Sequence, residues 1–435
     1  MDHDYAREPV PVGERKKWLS ISMIWIAVGI DLSGMLFGAT LGNGMNFTDA
    51  LFAVMIGSVI LGVLAAFCAY VGAVTGLSTS MISRYTFGLS GAKFVSFFLG
   101  VSLLGWFGVQ AGFFAENAYV AIESVTGLNV PMPLLAGIGG ILMMTTAIIG
   151  YKAIEKLSSF SVPLLLILIV LAIVFAVNRF GLEELSRPVD NIFSIGMAIS
   201  LVISIFVVGA VISPDISRWA RTKKDAVLAS FFGFFFGNSL MIIIAMILSR
   251  IMNEDSLTTI MITVGLGIPG ILVLILAQWT TNTSNAYSSG LSLSVIFTKT
   301  NKAVLTLIAG LVGTMLAVLG IYDYFIDFLT VMTMFIAPIG GVYTATYYIG
   351  GKTFFSDVGH KAFKLLPLLA WALGAFISWL TMDPPIGLQL FTLTTIPSLD
   401  SFVVAFIFQA IFITIYKSRV AKGAYQDERV NRTGY

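Results

Sequence analysis

Cysteine and histidine are nearly missing. The 435-residue chain has a single cysteine, Cys68, and two histidines, His3 and His360, so no disulfide can form within it and no Cys/His metal centre can be assembled. Charge is scarce as well. Asp, Glu, Lys and Arg make up 11% of residues, where soluble domains run at roughly a quarter. The formal net charge of +2 gives no basic field for a nucleic acid partner. What fills the space is hydrocarbon: 57% hydrophobic residues, 34 Phe and a mean hydropathy of +0.93. The composition is that of an integral membrane protein, with the lipid bilayer as its first partner.

A helix needs about 20 mostly apolar residues to cross ~30 Å of hydrocarbon. Twelve such runs are present, over 19–45, 49–75, 93–123, 131–150, 159–178, 193–213, 226–249, 262–297, 303–322, 324–349, 364–382 and 401–416. The first is too long for the apolar core of a cleaved signal, so none is expected. Basic residues accumulate on the cytoplasmic side of a membrane protein. With twelve spans and a cytoplasmic N-terminus, all 25 Lys and Arg fall inside except Arg179, Arg187 and Arg250. A missed span would exchange inside and outside for every later loop. The expectation is therefore an all-α protein of the cell inner membrane with tails 1–18 and 417–435 both cytoplasmic. No loop could house a soluble domain, so function must sit within the helical bundle.

Two spans carry breaks. The first reads Ile26-Ala-Val-Gly-Ile-Asp-Leu-Ser-Gly-Met35 and the sixth Phe206-Val-Val-Gly-Ala-Val-Ile-Ser-Pro-Asp215. Non-helical backbone at membrane depth is tolerated where it is buried in protein or lines a cavity, and breaks at matching places in two halves point to an inverted-repeat transporter. Trp106 and Trp279 lie 173 residues apart, and Gly34 and Gly209 lie 175 apart. A five-plus-five repeat fits both offsets, with 19–178 as its first half, 193–349 as its second and 364–416 as two further helices. Unrelated kinks from glycine-rich packing are the alternative.

Polar groups concentrate in two of the spans. At about 100° per residue, Trp106, Gln110, Phe113 and Asn117 share a face, which suits a planar heterocycle: rings stack and amides read ring edges. Asn117 and Gln110 could instead link helices. In span eight, "LAQWTTNTSNAYSSG" (276–290) has seven Thr, Ser or Asn among the nine residues from Thr280 to Ser288. Thr281, Asn285, Ser288 and Ser292 align on one face, flanked by Thr280 and Asn282. Hydroxyls there, with carbonyls freed by a broken helix, can replace water around a small hard cation. Asp31, a mid-span carboxylate, must face the interior or a partner and is the coupling candidate. Ser33 beside it is a candidate substrate contact. Asp215, next to Arg218 and Arg221, reads as a cap or an ion pair.

Together, "GAVTGLSTSMISRYTFG" (72–88), "GWFGVQ" (105–110), "SPDISRWAR" (213–221), "FFFGNSLM" (234–241), "WTTNTSNAYSSGL" (279–291) and "APIGGV" (337–342) resemble the nucleobase:cation symporter-1 family, in its cytosine permease branch. The resemblance implies a leucine-transporter-like inverted repeat with discontinuous helices 1 and 6. It implies a base sandwiched between Trp106 and Phe206 with Asn282 as a polar partner. It also implies Na⁺ held by the hydroxyls of Thr280 and Thr281, the Ala277 carbonyl and carbonyls near Gly29 and Leu32. The chain departs from the cytosine permeases at Leu103, Ile205 and Val208, where that branch tends to have Gln and serines. Gln110 resembles the hydantoin-transporter arrangement.

Function follows as an expectation: import of a nucleobase, cytosine first, by symport with Na⁺ through alternating access, with no organic cofactor and no enzymatic activity. The alternatives are another small heterocycle (a purine, a hydroxymethylpyrimidine or a hydantoin) coupled to H⁺, and, from another class, a small-solute channel. An intramembrane enzyme finds no paired base for its serines. Oligomeric state is not encoded in any motif here.

Overall fold

The computed structural model describes residues 5–30, 32–254, 257–351 and 362–433. Asp31, His3, His360, Lys352 and Lys361 lie outside the described residues, so the expectation at Asp31 has no structural counterpart. Each of the twelve apolar runs is helical, as lipid demands of a backbone that can find hydrogen bonds only within itself.

Trp18–Gly29 (α1) and Leu32–Gly44 (α2) share the first run, and Phe47–Thr75 (α3) takes the second. Thr79–Phe87 (α4) is a short connector. It leads into Leu89–Thr126 (α5), Met132–Ile149 (α6) and Tyr151–Phe180 (α7). The second half begins with Ile195–Val211 (α8) and the four-residue Pro214–Ser217 (α9), followed by Lys223–Met252 (α10), Leu257–Thr263 (α11) and Gly267–Ile296 (α12). Lys302–Val318 (α13), Phe325–Gly350 (α14), Leu365–Thr381 (α15) and Pro397–Thr433 (α16) complete the chain. Among the described residues, seven helices are long and apolar enough to cross a membrane, counting α8 through α9 as one, and α1 with α2, bent by 56°, makes an eighth. Of the others, α13 and α15 are apolar but have 17 residues each, while α12 and α14 have 30 and 26.

The interruption in the sixth run differs from the expectation at Gly209. Gly209 is helical, and α8 continues to Val211 before Ile212 leaves helical geometry at φ −88°, ψ 7°. The physical reason is Pro214, which has no N–H to donate to the preceding turn. A lone glycine costs a helix only about 1 kcal/mol. Past the proline, Asp215 N donates to Ile212 O rather than to Val211 O, and the Val211 carbonyl accepts from the Tyr343 hydroxyl at 2.7 Å, while Ser213 and Ser217 tie the segment to the Ala65 and Ala69 carbonyls of α3.

The bent pair lies along α10 at close range. A Cβ at Gly29 would fall 2.6 Å from Gly237 Cα and 2.7 Å from its carbonyl carbon, so the two backbones meet where no side chain fits. The end of α2 is capped by a buried guanidinium: Arg250 Nη1 donates to the Gly42 and Met45 carbonyls at 2.8 and 2.7 Å, and Nη2 donates to the Arg187 carbonyl. Arg250, one of the three basic residues expected on the sparse side, is thus occupied in holding a helix C-terminus, where cations are favoured.

At the opposite end the N-terminal segment runs across the bundle. Val10 N donates to Gly76 O at 3.0 Å, Lys16 N donates to Trp219 O while Lys16 O accepts from Arg221 N, and Lys16 Nζ lies 3.4 Å from Glu155 of α7. Arg7 donates to the carbonyl of Ser294 in the last turn of α12 and to those of Phe297 and Thr300 just past its end.

Candidate functional site

A cavity opens in the middle of the bundle, where α1, α5, α8 and α12 converge. α5 contributes Leu103 and Trp106, and α8 contributes Ile205, Phe206, Val208 and Gly209, with Ile212 and Ile216 beyond its end. Trp25 and Val28 come from α1, and Thr281, Ser284, Asn285 and Ser288 from α12. The polar residues recur at helical spacing because one face of α12 is turned inward, which the alignment of Thr281, Asn285 and Ser288 predicts. Trp106 is held by two edge contacts from α14, with ring centroids 5.9 Å from Phe325 and 5.5 Å from Phe328. Such T-shaped pairs fix an aromatic side chain more firmly than burial alone.

The expected substrate residues divide. Trp106, Phe206 and Asn285 are brought together on the cavity. Gln110 is fully buried but is not part of the lining, and the same holds for Ser33 at the start of α2. Asn282 turns the other way: its Nδ2 donates to Phe107 O at 3.1 Å and contacts Met143 Sδ at 3.3 Å, joining α12 to α5 and α6. Asn117 donates to Phe113 O at 2.6 Å within its own helix. Asp215 accepts from Thr79 N at 2.8 Å at the first turn of α4, the capping role expected of it. Arg218, also fully buried, donates to the Tyr287 hydroxyl at 2.9 Å and to Tyr5 O at 2.7 Å.

Beside the cavity, α1 and α12 share a cluster of oxygens. Thr280 Oγ1 lies 2.7 Å from Ala277 O and 3.2 Å from Ala27 O. Thr281 Oγ1 lies 3.1 Å from Val28 O, 3.2 Å from Ala277 O and 3.5 Å from Ala27 O. Five contacts are thus served by two hydroxyl hydrogens. The excess of inward lone pairs suits a hard cation, and every donor is a neutral oxygen. These α1 carbonyls belong to the last turn of the helix, which ends at Gly29 with Ile30 at φ −85°, ψ 78°, and the last turn of a helix is where carbonyls run short of helical donors. Thr280, Thr281 and Ala277, the set the resemblance implies, meet here. On α1, however, the hydroxyls meet Ala27 and Val28, just before the expected Gly29 and Leu32. Gly29 sits against Gly237 instead.

Two residues escaped the sequence reading. Trp25 lines the cavity, packs on Phe234 at 4.6 Å between centroids, and buries Nε1 without a hydrogen bond among the described residues. In sequence it is one aromatic in an apolar run, and nothing local turns it inward. Gln278 is fully buried, and neither of its amide atoms has a partner among the described residues. An amide three residues before Thr281, on the same helical face, was a readable signal.

Residues 9–359 match the family model described as a permease for cytosine/purines, uracil, thiamine and allantoin. The cytosine permease of Escherichia coli (strain K12) is 33% identical over 395 residues, spanning 89% of this chain and 91% of the relative. The hydantoin permease of Microbacterium maritypicum is 22% identical over 367 residues, spanning 76% and 72%. Among solved structures, a nucleobase-cation-symport-1 family transporter in a closed conformation with bromovinylhydantoin bound superposes at a TM-score of 0.81, with 18% identity and 96% of each chain covered. A Na⁺-coupled sialic acid symporter superposes at 0.61, with 12% identity over 95% of this chain and 92% of the other. At these identities the two structures speak for the fold.

Proposed function

The chain belongs to the family of permeases for cytosine/purines, uracil, thiamine and allantoin, which are transporters and not enzymes, and from that premise we propose that it imports a nucleobase across the cell membrane in symport with Na⁺. Cytosine is the leading candidate, since the relative at 33% identity is a cytosine permease. In this reading the twelve helical runs are twelve spans, the first five and the next five form an inverted repeat, and both termini face the cytoplasm.

One observation carries the proposal. Thr281 belongs to both places at once: it lines the cavity and its hydroxyl lies in the oxygen cluster with Val28 O. Trp25 and Val28 of the same helix also line the cavity. A cation among these oxygens would draw the end of α1 onto α12 and so fix one cavity wall. The ring then stacks against Trp106 and Phe206 on a wall already set. Each ligand thereby raises the affinity for the other, and by linkage it does so reciprocally. The positive ion is favoured at a helix C-terminus by the peptide dipoles.

The test is uptake of labelled cytosine into proteoliposomes. A Na⁺ gradient should drive saturable accumulation, and collapsing that gradient should abolish it. Accumulation driven equally well by a proton gradient in Na⁺-free medium would move coupling to a proton site, with Asp31 the candidate. Flux that neither saturates nor concentrates would favour a channel.

A further inference from the structure

The hydroxyls and the amide that line the cavity all come from α12. Asn285 lines it at 9% exposure, and its Nδ2 makes no hydrogen bond among the described residues. A buried amide left unpaired is costly, so an acceptor arriving with the ligand is its natural partner. The Trp25 Nε1 is a second buried donor on the same cavity without a partner among the described residues. α8 lines the cavity without packing closely on α12, and it contributes Ile205 and Val208, both buried; α5 adds Leu103. A flat ring between Trp106 and Phe206 therefore meets hydrogen-bonding groups along one edge and hydrocarbon along another.

Given that the cavity holds a nucleobase, we propose that Asn285 reads the hydrogen-bonding edge of a pyrimidine while Leu103, Ile205 and Val208 receive its C5–C6 edge, so that the site selects pyrimidines, prefers those with an alkyl group on C5, and rejects purines. The division matches pyrimidine chemistry. O2, N3 and the substituent on C4 lie along one side of the ring, and C5 and C6 carry only hydrogen or carbon on the other. A purine places N7 and N9 on that second side. Facing Ile205 and Val208, these nitrogens lose their water and gain nothing, which is the situation in which a site discriminates most strongly.

The experiment is a binding panel on the purified full-length protein in saturating Na⁺, by calorimetry, using cytosine, 5-methylcytosine, uracil, thymine and adenine. Each 5-methyl compound should bind about tenfold more tightly than its parent, the usual gain for one methyl in an apolar pocket, and adenine should bind at least about tenfold more weakly than cytosine. Ile205→Ser with Val208→Ser should bring the methyl advantage close to unity. Asn285→Leu should weaken every pyrimidine about tenfold and leave the methyl ratio unchanged. Equal binding of methylated and parent bases, tighter binding of adenine, or a methyl advantage that survives the double substitution would overturn the proposal. If a variant does not fold, the wild-type ratios decide alone. Binding without methyl preference sinks this inference and spares the transporter reading, whereas a protein that binds no base sinks both.

Discussion

Trp106 and Phe206 come from helices with different partners and meet on one cavity. Removing an aromatic face costs about 1 kcal/mol. Trp106→Ala and Phe206→Ala should therefore each weaken base binding about fivefold to tenfold, measured by calorimetry, with no loss of folded protein. Unchanged affinity in both would end the sandwich. Thr281 carries a different expectation, because its hydroxyl sits among the α1 carbonyls. Thr281→Ala should raise the Na⁺ concentration for half-maximal uptake by about tenfold, the order expected from losing one oxygen of a cation's set. Thr281→Ser keeps the oxygen and should stay near wild type. A serine variant as impaired as the alanine one would mean that the methyl group, not the hydroxyl, matters there. Of the residues chosen from sequence, those on the cavity-facing stripe of α12 were legible because polarity in an apolar helix is a strong signal. Asn282 shows the limit of that signal. It is equally polar, yet it faces α5 and α6, since a stripe of hydroxyls and amides does not say which neighbour each member meets.

At the scale of elements, the bent α1–α2 pair depends on how closely α10 can approach it. The Gly29 and Gly237 backbones are too near for any added Cβ, and overpacking of this kind costs about 1–3 kcal/mol. Gly29→Val should lower the midpoint of thermal unfolding and also weaken Na⁺ binding, because the displaced segment carries the Ala27 and Val28 carbonyls. A variant with lowered stability and normal Na⁺ dependence would separate the helix contact from the ion cluster. The N-terminal segment offers a second case. Arg7 donates to the Ser294 carbonyl in the last turn of α12, where carbonyls lack helical donors, and to the Phe297 and Thr300 carbonyls just past it. Arg7→Ala should speed backbone amide exchange at the C-terminal end of α12 and leave the middle of that helix protected. The sequence placed residues 1–18 in a tail; that the segment from Tyr5 onward is bonded across the bundle follows from contacts with α3, α7, α9 and α12, all distant in the chain.

For the whole molecule, topology is the property with the widest consequences. Cys68 is buried, so single cysteines can be introduced without removing it. Placed at Ser186 and Leu393, both exposed, cysteines should react with an impermeant thiol reagent added outside intact cells, and one at Lys223, also exposed, should react only after the membrane is opened. Reversed labelling would invert the bundle and the direction assigned to transport.

The sequence alone determined the solvent. Scarce charge and long apolar runs oblige the chain to live in lipid and to be helical there, because hydrocarbon offers backbone groups no other partner. It also determined where polar chemistry is concentrated, in the Thr280–Ser288 stretch, since burying such groups in lipid without partners is too costly to be incidental. Tertiary structure decided the rest. Which α1 carbonyls face Thr281 depends on where that helix ends, and Ile30 leaves helical geometry between Gly29 and Leu32, the two residues the resemblance favoured. Where the sixth run breaks was set by Pro214, and Tyr343, a residue far away, supplies the donor that the Val211 carbonyl lacks once the helix stops. Trp25 and Ile205 became cavity walls for the same reason: in a helix apolar all round, sequence periodicity cannot choose a face, and only the packing of neighbouring helices does.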